Sequence, residues 1–232
     1  MMDRLPELFV WGIGDSLTPG HLAVLAWFIA ACVSLSQDRK ALAFFSIPFL
    51  VTFYILSLMF LTGFFGPLFV RDEYLGLSQT VFIFLGVWLF FTGGELFMRW
   101  LRETRGPGQV GVDSVDLRIM PFARILRVPV AVLLAAALSF ALVAWAPTGY
   151  LTVLSTDMML PGKWMPVVTM LAVYSFIKIF FMVFICVGAF FLKTAAQSRR
   201  KPVLHRSTAY ILIAAFYIAI GAGIVVVSFK QF

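Results

Sequence analysis

Long apolar runs alternate with short polar or basic stretches along the whole chain. Six runs reach or exceed the roughly 20 residues that a membrane-spanning helix needs. They lie near residues 8–36, 41–65, 78–98, 128–156, 166–192 and 207–229. Runs such as VFIFLGVWLFF lack the polar–apolar alternation of a membrane β-barrel. The pattern therefore predicts an all-α membrane protein with six transmembrane helices, in one polytopic domain over residues 1–232.

The first and fourth apolar runs differ from the others because each is too long and is interrupted. Pro19 falls within the first run and Pro147 within the fourth. Proline has no amide hydrogen and clashes with the preceding turn, so each should break its helix. Interrupted segments at corresponding places in two halves are typical of transporters with internal repeats. We therefore expect a 3+3 inverted repeat, with halves of about 8–98 and 121–229 and a binding site near the two breaks.

Composition and charge agree with membrane insertion and exclude a nucleic-acid role. Of the 232 residues, 62% are hydrophobic and 12% are charged, whereas soluble domains are nearer half and a quarter. Most of the 18 Lys and Arg residues lie after the first, third and fifth runs, which is the positive-inside pattern of cytoplasmic loops. This distribution predicts a bacterial-type inner membrane protein with both termini outside. The expected partners are membrane lipid and a further membrane protein or second copy, with no nucleic acid.

Lys178 is the most informative single residue, because it lies in the middle of the fifth run. A charge at that depth costs roughly 3 kcal/mol or more, so it should face the interior of the bundle. Two interpretations stay open, a substrate-anion or proton-coupling site and a structural ion pair. Asp15 and Glu95 are candidate partners at similar distances in depth, so spacing does not choose between them.

Other polar residues each have a functional and a structural interpretation. Asp15 and His21 flank the first break, where Asp15 either serves the site or caps a helix. His21 either titrates near neutral pH or binds a metal. One histidine and one acid make a poor metal site, so we predict no metal and no cofactor. Glu95 either joins the site or pairs with Arg99 one turn on.

The sequence contains no nucleophile elbow, phosphate loop or paired catalytic carboxylates, so we expect no enzyme activity. We predict instead a cavity between the two broken helices. The predicted substrate- or ion-binding residues are Asp15, Pro19, His21, Glu95, Pro147, Thr148, Tyr174 and Lys178.

The two breaks carry a resemblance to a known family. The chain resembles the transmembrane domain of thiol-disulfide interchange and cytochrome c biogenesis proteins (DsbD/CcdA type), within the wider LysE-like superfamily that includes nickel and cobalt exporters. The residues that carry the resemblance are Ser16, Thr18, Pro19 and Leu22 in the first run, and Trp145, Pro147 and Gly149 in the fourth. The resemblance implies the six-span fold with broken first and fourth helices.

The chain departs from this family at the positions that carry its chemistry. Electron-carrying members have a cysteine after each proline, where this chain has Gly20 and Thr148. Thiol–disulfide exchange requires a thiolate, so the family's relay cannot operate at these two positions. The sequence PGH at Pro19 to His21 is closer to the metal-exporter branch, which usually carries more histidine than the two residues here.

Three functions are therefore compared. The favoured one is a transporter that moves a small solute or ion through the cavity between the broken helices. The second is a non-catalytic assembly or scaffold subunit of a membrane complex. The third is a thiol or electron carrier that uses Cys32 and Cys186, which both fall in the inner third of the bilayer and are close enough in depth to meet.

Overall fold

The protein is helical throughout the part of the chain that its structure, a computed structural model, describes. The described residues are 5–35, 38–61, 71–105, 127–145, 164–198 and 204–230, and they contain no strand. They form seven helices: α1 (Leu5–Ser16), α2 (Pro19–Leu35), α3 (Arg39–Leu61), α4 (Arg71–Arg105), α5 (Val128–Trp145), α6 (Trp164–Ser198) and α7 (Leu204–Lys230).

Four of these helices are long and apolar enough to cross a membrane. The crossing segments are Arg39–Phe60 in α3, Gly76–Leu101 in α4, Val167–Ala189 in α6 and Ile211–Phe229 in α7. The pair α1 and α2 makes a fifth candidate if it counts as one broken span. The apolar part of α5, Val128–Leu142, is shorter than a full span, and the rest of the predicted fourth run lies outside the described residues. The described chain therefore has four to five candidate spans where the sequence predicts six.

The first apolar run is divided at Leu17 and Thr18, where α1 and α2 meet at an angle of 67°. Pro19 is the first residue of α2, the position that tolerates its missing amide hydrogen best. Thr18 precedes the proline, which disfavours helical geometry at that residue. Its backbone N–H and hydroxyl both donate to the carbonyl of Asp15, at 3.2 and 2.8 Å. The bend is thus stabilised by hydrogen bonds that satisfy the carbonyl groups at the end of α1.

Helix α2 lies at the centre of the bundle and contacts each of the six other described helices. Its four alanines, Ala23, Ala26, Ala30 and Ala31, are fully buried against the surrounding helices. Tyr217 of α7 donates a 3.0 Å hydrogen bond to the carbonyl of Ala26 in α2. Around α2, helix α3 packs on α5 and α6, and α4 packs on α5 and α7. Gly20 and His21 in the first turn of α2 are therefore buried, whereas Pro19 at its start is exposed.

Helices α4 and α7 form the most extensive pair, and glycines make their close approach possible. A Cβ atom on Gly221 would lie 2.6 Å from the carbonyl oxygen of Gly86, and one on Gly93 would lie 2.9 Å from that of Ala214. From Gly86 to Gly93, α4 advances seven residues, while the contact on α7 moves back seven residues, from Gly221 to Ala214. The two helices therefore run antiparallel. Of the neighbouring glycines Gly93 and Gly94, Gly93 lies at the contact and Gly94 faces open space.

The outer faces of the long helices are apolar. Phe84 and Phe91 of α4 and Phe184 of α6 are each 71% exposed, and Leu133 of α5 is 70% exposed. A water-soluble surface rarely carries so many large exposed hydrophobic residues on adjoining helices. Together with the lengths of the helices, this surface fits a membrane-embedded, multi-pass protein.

Candidate functional site at the bend between α1 and α2

Four of the predicted site residues come together where the bend lies against α6. Asp15 is in the last turn of α1 and His21 in the first turn of α2, on opposite sides of the break. Tyr174 and Lys178 lie one turn apart on α6, so they share a face of that helix. Lys178 is near the middle of the candidate span Val167–Ala189. The cluster is therefore at membrane depth.

Tyr174 links α6 to the end of α1. Its phenolic hydroxyl donates a hydrogen bond to Oδ2 of Asp15. Tyr174 is fully buried, whereas Asp15 is only partly buried. The carboxylate therefore has one fixed partner and one side that remains accessible.

Lys178 stacks on the same tyrosine. Its Nζ lies 5.3 Å from the centroid of the Tyr174 ring, within the range of a cation–π contact. Asp15 is close enough to attract the ammonium group electrostatically. No ion pair joins Lys178 to a carboxylate among the residues that the structure describes. The two opposite charges are thus separated by the tyrosine instead of being in direct contact.

His21 holds the first turn of α2 against the backbone of α6. Its Nε2 lies 3.1 Å from the carbonyl oxygen of Lys178, and a carbonyl can only accept, so Nε2 donates. The ring is 2% exposed and makes an edge contact with Phe53, with centroids 6.2 Å apart. Nδ1 is buried and finds no hydrogen-bond partner within the described chain. In the neutral ring, Nδ1 is therefore an unused acceptor at membrane depth.

Two glycines allow the helices to approach this closely. A Cβ atom on Gly12 would lie 2.8 Å from Ile177, beside Lys178 on α6. One on Gly20 would lie 3.3 Å from both Leu142 and Phe82. Neither glycine is among the site residues that the sequence predicts. Gly12 lies one turn before Asp15, and that spacing on one helix face is the signal that could have identified it.

The remaining predicted site residues are not part of the cluster of Asp15, His21, Tyr174 and Lys178, or they lie outside the described residues. Pro19 is at the bend itself and is exposed. Glu95 is on α4, is 59% exposed and forms a 2.6 Å ion pair with Arg99 one turn on, so it does not reach Lys178. Pro147 and Thr148, and with them the predicted second break, lie outside the described residues. The bend cluster is thus built from α1, α2 and α6.

A second polar group lies further along α2 and α6. Cys32 and Cys186 are free thiols that lie close to each other, and Sγ of Cys186 donates to the hydroxyl of Ser46 over 3.1 Å. The sequence predicts that the two cysteines are close enough in depth to meet, but nothing in it points to Ser46. His21 of α2 contacts Lys178 of α6, and Cys32, later in α2, lies near Cys186, later in α6. The two helices therefore run parallel. Nowhere in the described ranges do three His, Cys, Asp or Glu side chains gather as a metal site.

The C-terminus of α1 and the N-terminus of α2 contribute to the electrostatic field at the bend cluster. The C-terminus of α1 carries partial negative charge and the N-terminus of α2 carries partial positive charge. Inside a membrane these dipoles are little screened by solvent, so they act strongly on nearby ions. Asp15 and Lys178 therefore lie in a polar environment that the backbone itself supplies.

Comparisons with family models, curated proteins and solved structures gave no match for this chain. The functional assignment therefore depends on the geometry of the bend cluster and on the sequence.

Proposed function

We propose that the protein is a transporter that moves a small solute or ion across the membrane through the bend cluster. The observation that carries this proposal is a lysine and an aspartate at membrane depth, bridged by a buried tyrosine at a helix break. Ionisable groups inside a span are costly and normally mark a substrate or ion pathway. Interrupted helices at membrane depth are tolerated where they line a cavity. The bend between α1 and α2 supplies both features in one place.

The bend also offers a means of alternating access. Helix α1 contacts α6 and α2, whereas α2 is packed on every side. A hinge at Leu17 and Thr18 allows α1 to move relative to the fixed α2 and α6. Such a movement separates Asp15 from Tyr174 and opens the site to the outer side. Rocking of one element against a fixed site is how repeat-built transporters usually expose their substrate.

The wider topology belongs to the same proposal. We infer six spans in a 3+3 inverted repeat, a second break at Pro147, an inner-membrane location and both termini outside. Antiparallel α4 and α7 support this arrangement, because the third and sixth of six alternating spans run in opposite directions. Parallel α2 and α6 support it in the same way for the first and fifth spans.

The test is solute flux into proteoliposomes that contain the purified protein. A panel of small cations, anions and neutral solutes is compared for wild type, Lys178→Ala and Arg99→Ala. Arg99 is a matched control, because it is a cation on a candidate span that pairs with Glu95 away from the bend. Flux that Lys178→Ala abolishes and Arg99→Ala preserves supports the proposal. Absence of flux for every solute, with a folded wild-type protein, contradicts it.

The contact between Cys32 and Cys186 favours thiol exchange as a second candidate function. The partly exposed Cys186 thiolate attacks a disulfide of a partner protein, and Cys32 then displaces the partner's thiolate. The chain gains a Cys32–Cys186 disulfide and the partner gains two thiols, so electrons and protons balance. Incubation with a small disulfide such as oxidised glutathione, followed by peptide mass spectrometry, tests this. The linked peptide supports exchange, and two unreacted thiols after prolonged incubation contradict it.

A further inference from the structure

The side chain of Lys178 uses little of its capacity for hydrogen bonds. Its ammonium group has three N–H donors, and its contact in the described structure is with the face of the Tyr174 ring. No carboxylate, hydroxyl or carbonyl of the described residues accepts from it. A cation at membrane depth with unused donors is expensive unless an acceptor from elsewhere occupies them. The ammonium group therefore presents a place for an anion.

A second source of donors faces the same region. Gly20 and His21 are in the first turn of α2, where backbone N–H groups have no partner inside the helix. The hydrogen bond from His21 to the backbone of Lys178 fixes that turn beside the lysine. The buried His21 ring also has an unpartnered Nδ1, which in the neutral ring is an acceptor and therefore does not itself bind an anion. Helix N-termini bind anionic groups because their free N–H groups and dipole favour negative charge.

We propose that Lys178 and the first turn of α2 bind the charged group of a small monovalent anion, which is transported together with a proton. The inference rests on the proposed transport function and names its substrate class. An apolar cluster of Leu8, Val167, Leu171 and Tyr174 lies on the side of α1, and Phe53 and Phe82 lie on the other side of the first turn of α2. These apolar walls suit the hydrocarbon part of a compact anion such as a short-chain carboxylate or sulfonate.

Charge balance in the site requires that a proton accompany the anion. With Asp15 ionised, the cluster of Asp15 and Lys178 is neutral, and an added anion leaves one uncompensated negative charge at membrane depth. Protonation of Asp15 removes that charge, so the anion and one proton enter together and the transfer is electroneutral. The titratable groups that act on Asp15 are Tyr174 and Lys178 of α6. From α2, the other helix packed against α1, His21 lies near Lys178.

The test uses lactate and its neutral isostere lactamide as probes in proteoliposomes, with a pH dye inside and protein-free vesicles subtracted. Methanesulfonate is added as an anion that does not cross the bilayer as a neutral acid. Wild type should take up lactate but not lactamide, with acidification inside the vesicle. Lys178→Gln should lower lactate uptake by about ten- to hundredfold, as expected for loss of a charge-assisted hydrogen bond, and Lys178→Arg should retain most of it.

Asp15→Asn distinguishes anion binding from proton coupling, because the asparagine side chain is permanently neutral. This variant should still take up lactate, but without acidification and with a rate that now follows the membrane potential. Glu95→Gln, which removes an acid away from the bend, should behave as wild type. Electroneutral uptake by Asp15→Asn would overturn the assignment of the coupled proton.

Calorimetric titration of lactate into detergent-purified protein distinguishes the two levels of the proposal. Lys178-dependent binding without flux overturns the transport function and retains the anion site. Flux of a cation or neutral solute, with no lactate binding, overturns the anion site and retains transport. Neither binding nor flux in a protein with intact helical circular dichroism overturns both.

Discussion

At the scale of single residues, the most consequential group is the hydroxyl of Tyr174. It joins the end of α1 to α6 through the charged side chain of Asp15. The same ring supports the ammonium of Lys178. One side chain thus holds an acid and a base at a fixed separation at membrane depth. That arrangement keeps both ionisable groups usable, whereas a direct ion pair would satisfy each with the other.

Replacement of Tyr174 by phenylalanine separates these two roles. Tyr174→Phe keeps the ring under Lys178 but leaves Asp15 without its donor. Loss of one partner of a partly buried charged hydrogen bond costs about 1–3 kcal/mol. We expect a lower thermal unfolding midpoint in detergent and reduced flux.

Tyr54→Phe is the matched control for this replacement. Tyr54 donates to a backbone carbonyl, that of Ala172, over 3.3 Å and lies on α3. Its loss should have a smaller effect on both measurements. Equal effects of the two variants would show that the contact between Tyr174 and Asp15 has no special role.

At the scale of secondary-structure elements, the break between α1 and α2 decides where the polar residues meet. Without it, one continuous helix would carry Asp15 and His21 six residues apart, about 120° apart around its axis. The 67° bend instead places both against α6. Proline at the start of α2 and the hydrogen bonds of Thr18 determine this geometry locally, which is why the position of the break is readable from sequence.

Pro19→Ala tests the break directly. Alanine restores an amide hydrogen and permits a straighter helix through Leu17 and Thr18. We expect Asp15 to move away from Tyr174 and flux to fall severalfold, measured in proteoliposomes. The control is Pro48→Ala, which removes a proline from the interior of α3. A Pro19→Ala variant with wild-type flux, or one no worse than Pro48→Ala, would contradict the role of the bend.

The glycine contact between α4 and α7 gives a prediction about stability. Gly221→Ala places a methyl group 2.6 Å from the backbone oxygen of Gly86, so the helices must separate. Overpacking of this kind costs typically 1–3 kcal/mol, and the midpoint of thermal unfolding should fall accordingly. Gly223→Ala on the same helix meets open space and should change little. Similar unfolding temperatures for the two variants would contradict the close contact.

At the scale of the whole molecule, the proposed orientation rests on charge. Basic residues concentrate after the first, third and fifth apolar runs. Antiparallel α4 and α7, together with parallel α2 and α6, fit spans that alternate in direction, whichever side the termini are on. Apolar faces on the long helices turn outward, and the charged cluster turns inward. The bundle thus presents hydrocarbon to lipid and reserves its polar groups for the interior.

Labelling from outside the membrane tests the orientation. In a variant with Cys32→Ala and Cys186→Ala, a single cysteine is introduced at exposed Gly76 or at exposed Arg127. A membrane-impermeant maleimide should label Gly76→Cys in intact cells and should label Arg127→Cys only after lysis, because in the proposed topology α4 begins outside and α5 begins inside. Labelling of Arg127→Cys in intact cells would reverse the proposed topology.

Helix type and four residues of the bend cluster could be predicted from sequence, because both depend on local patterns. Tyr174 and Lys178 share a helix face at a spacing of four, and Asp15 and His21 flank a proline. The partner of Lys178 could not be chosen, because Asp15 and Glu95 lie at comparable depth. That choice depends on which helices are neighbours, and α1 lies against α6 whereas α4 packs mainly on α7. Glycine contacts such as Gly86 with Gly221 were equally hidden, because glycine is frequent in membrane helices.

The most direct test of the central claim is the ratio of solute flux in wild type to that in Lys178→Ala, in proteoliposomes of equal protein content. Arg99→Ala serves as the reference variant. The bend cluster as a transport site predicts that flux falls to the protein-free background in Lys178→Ala and stays near wild type in Arg99→Ala. Equal flux in all three proteins would show that the solute does not pass through this cluster.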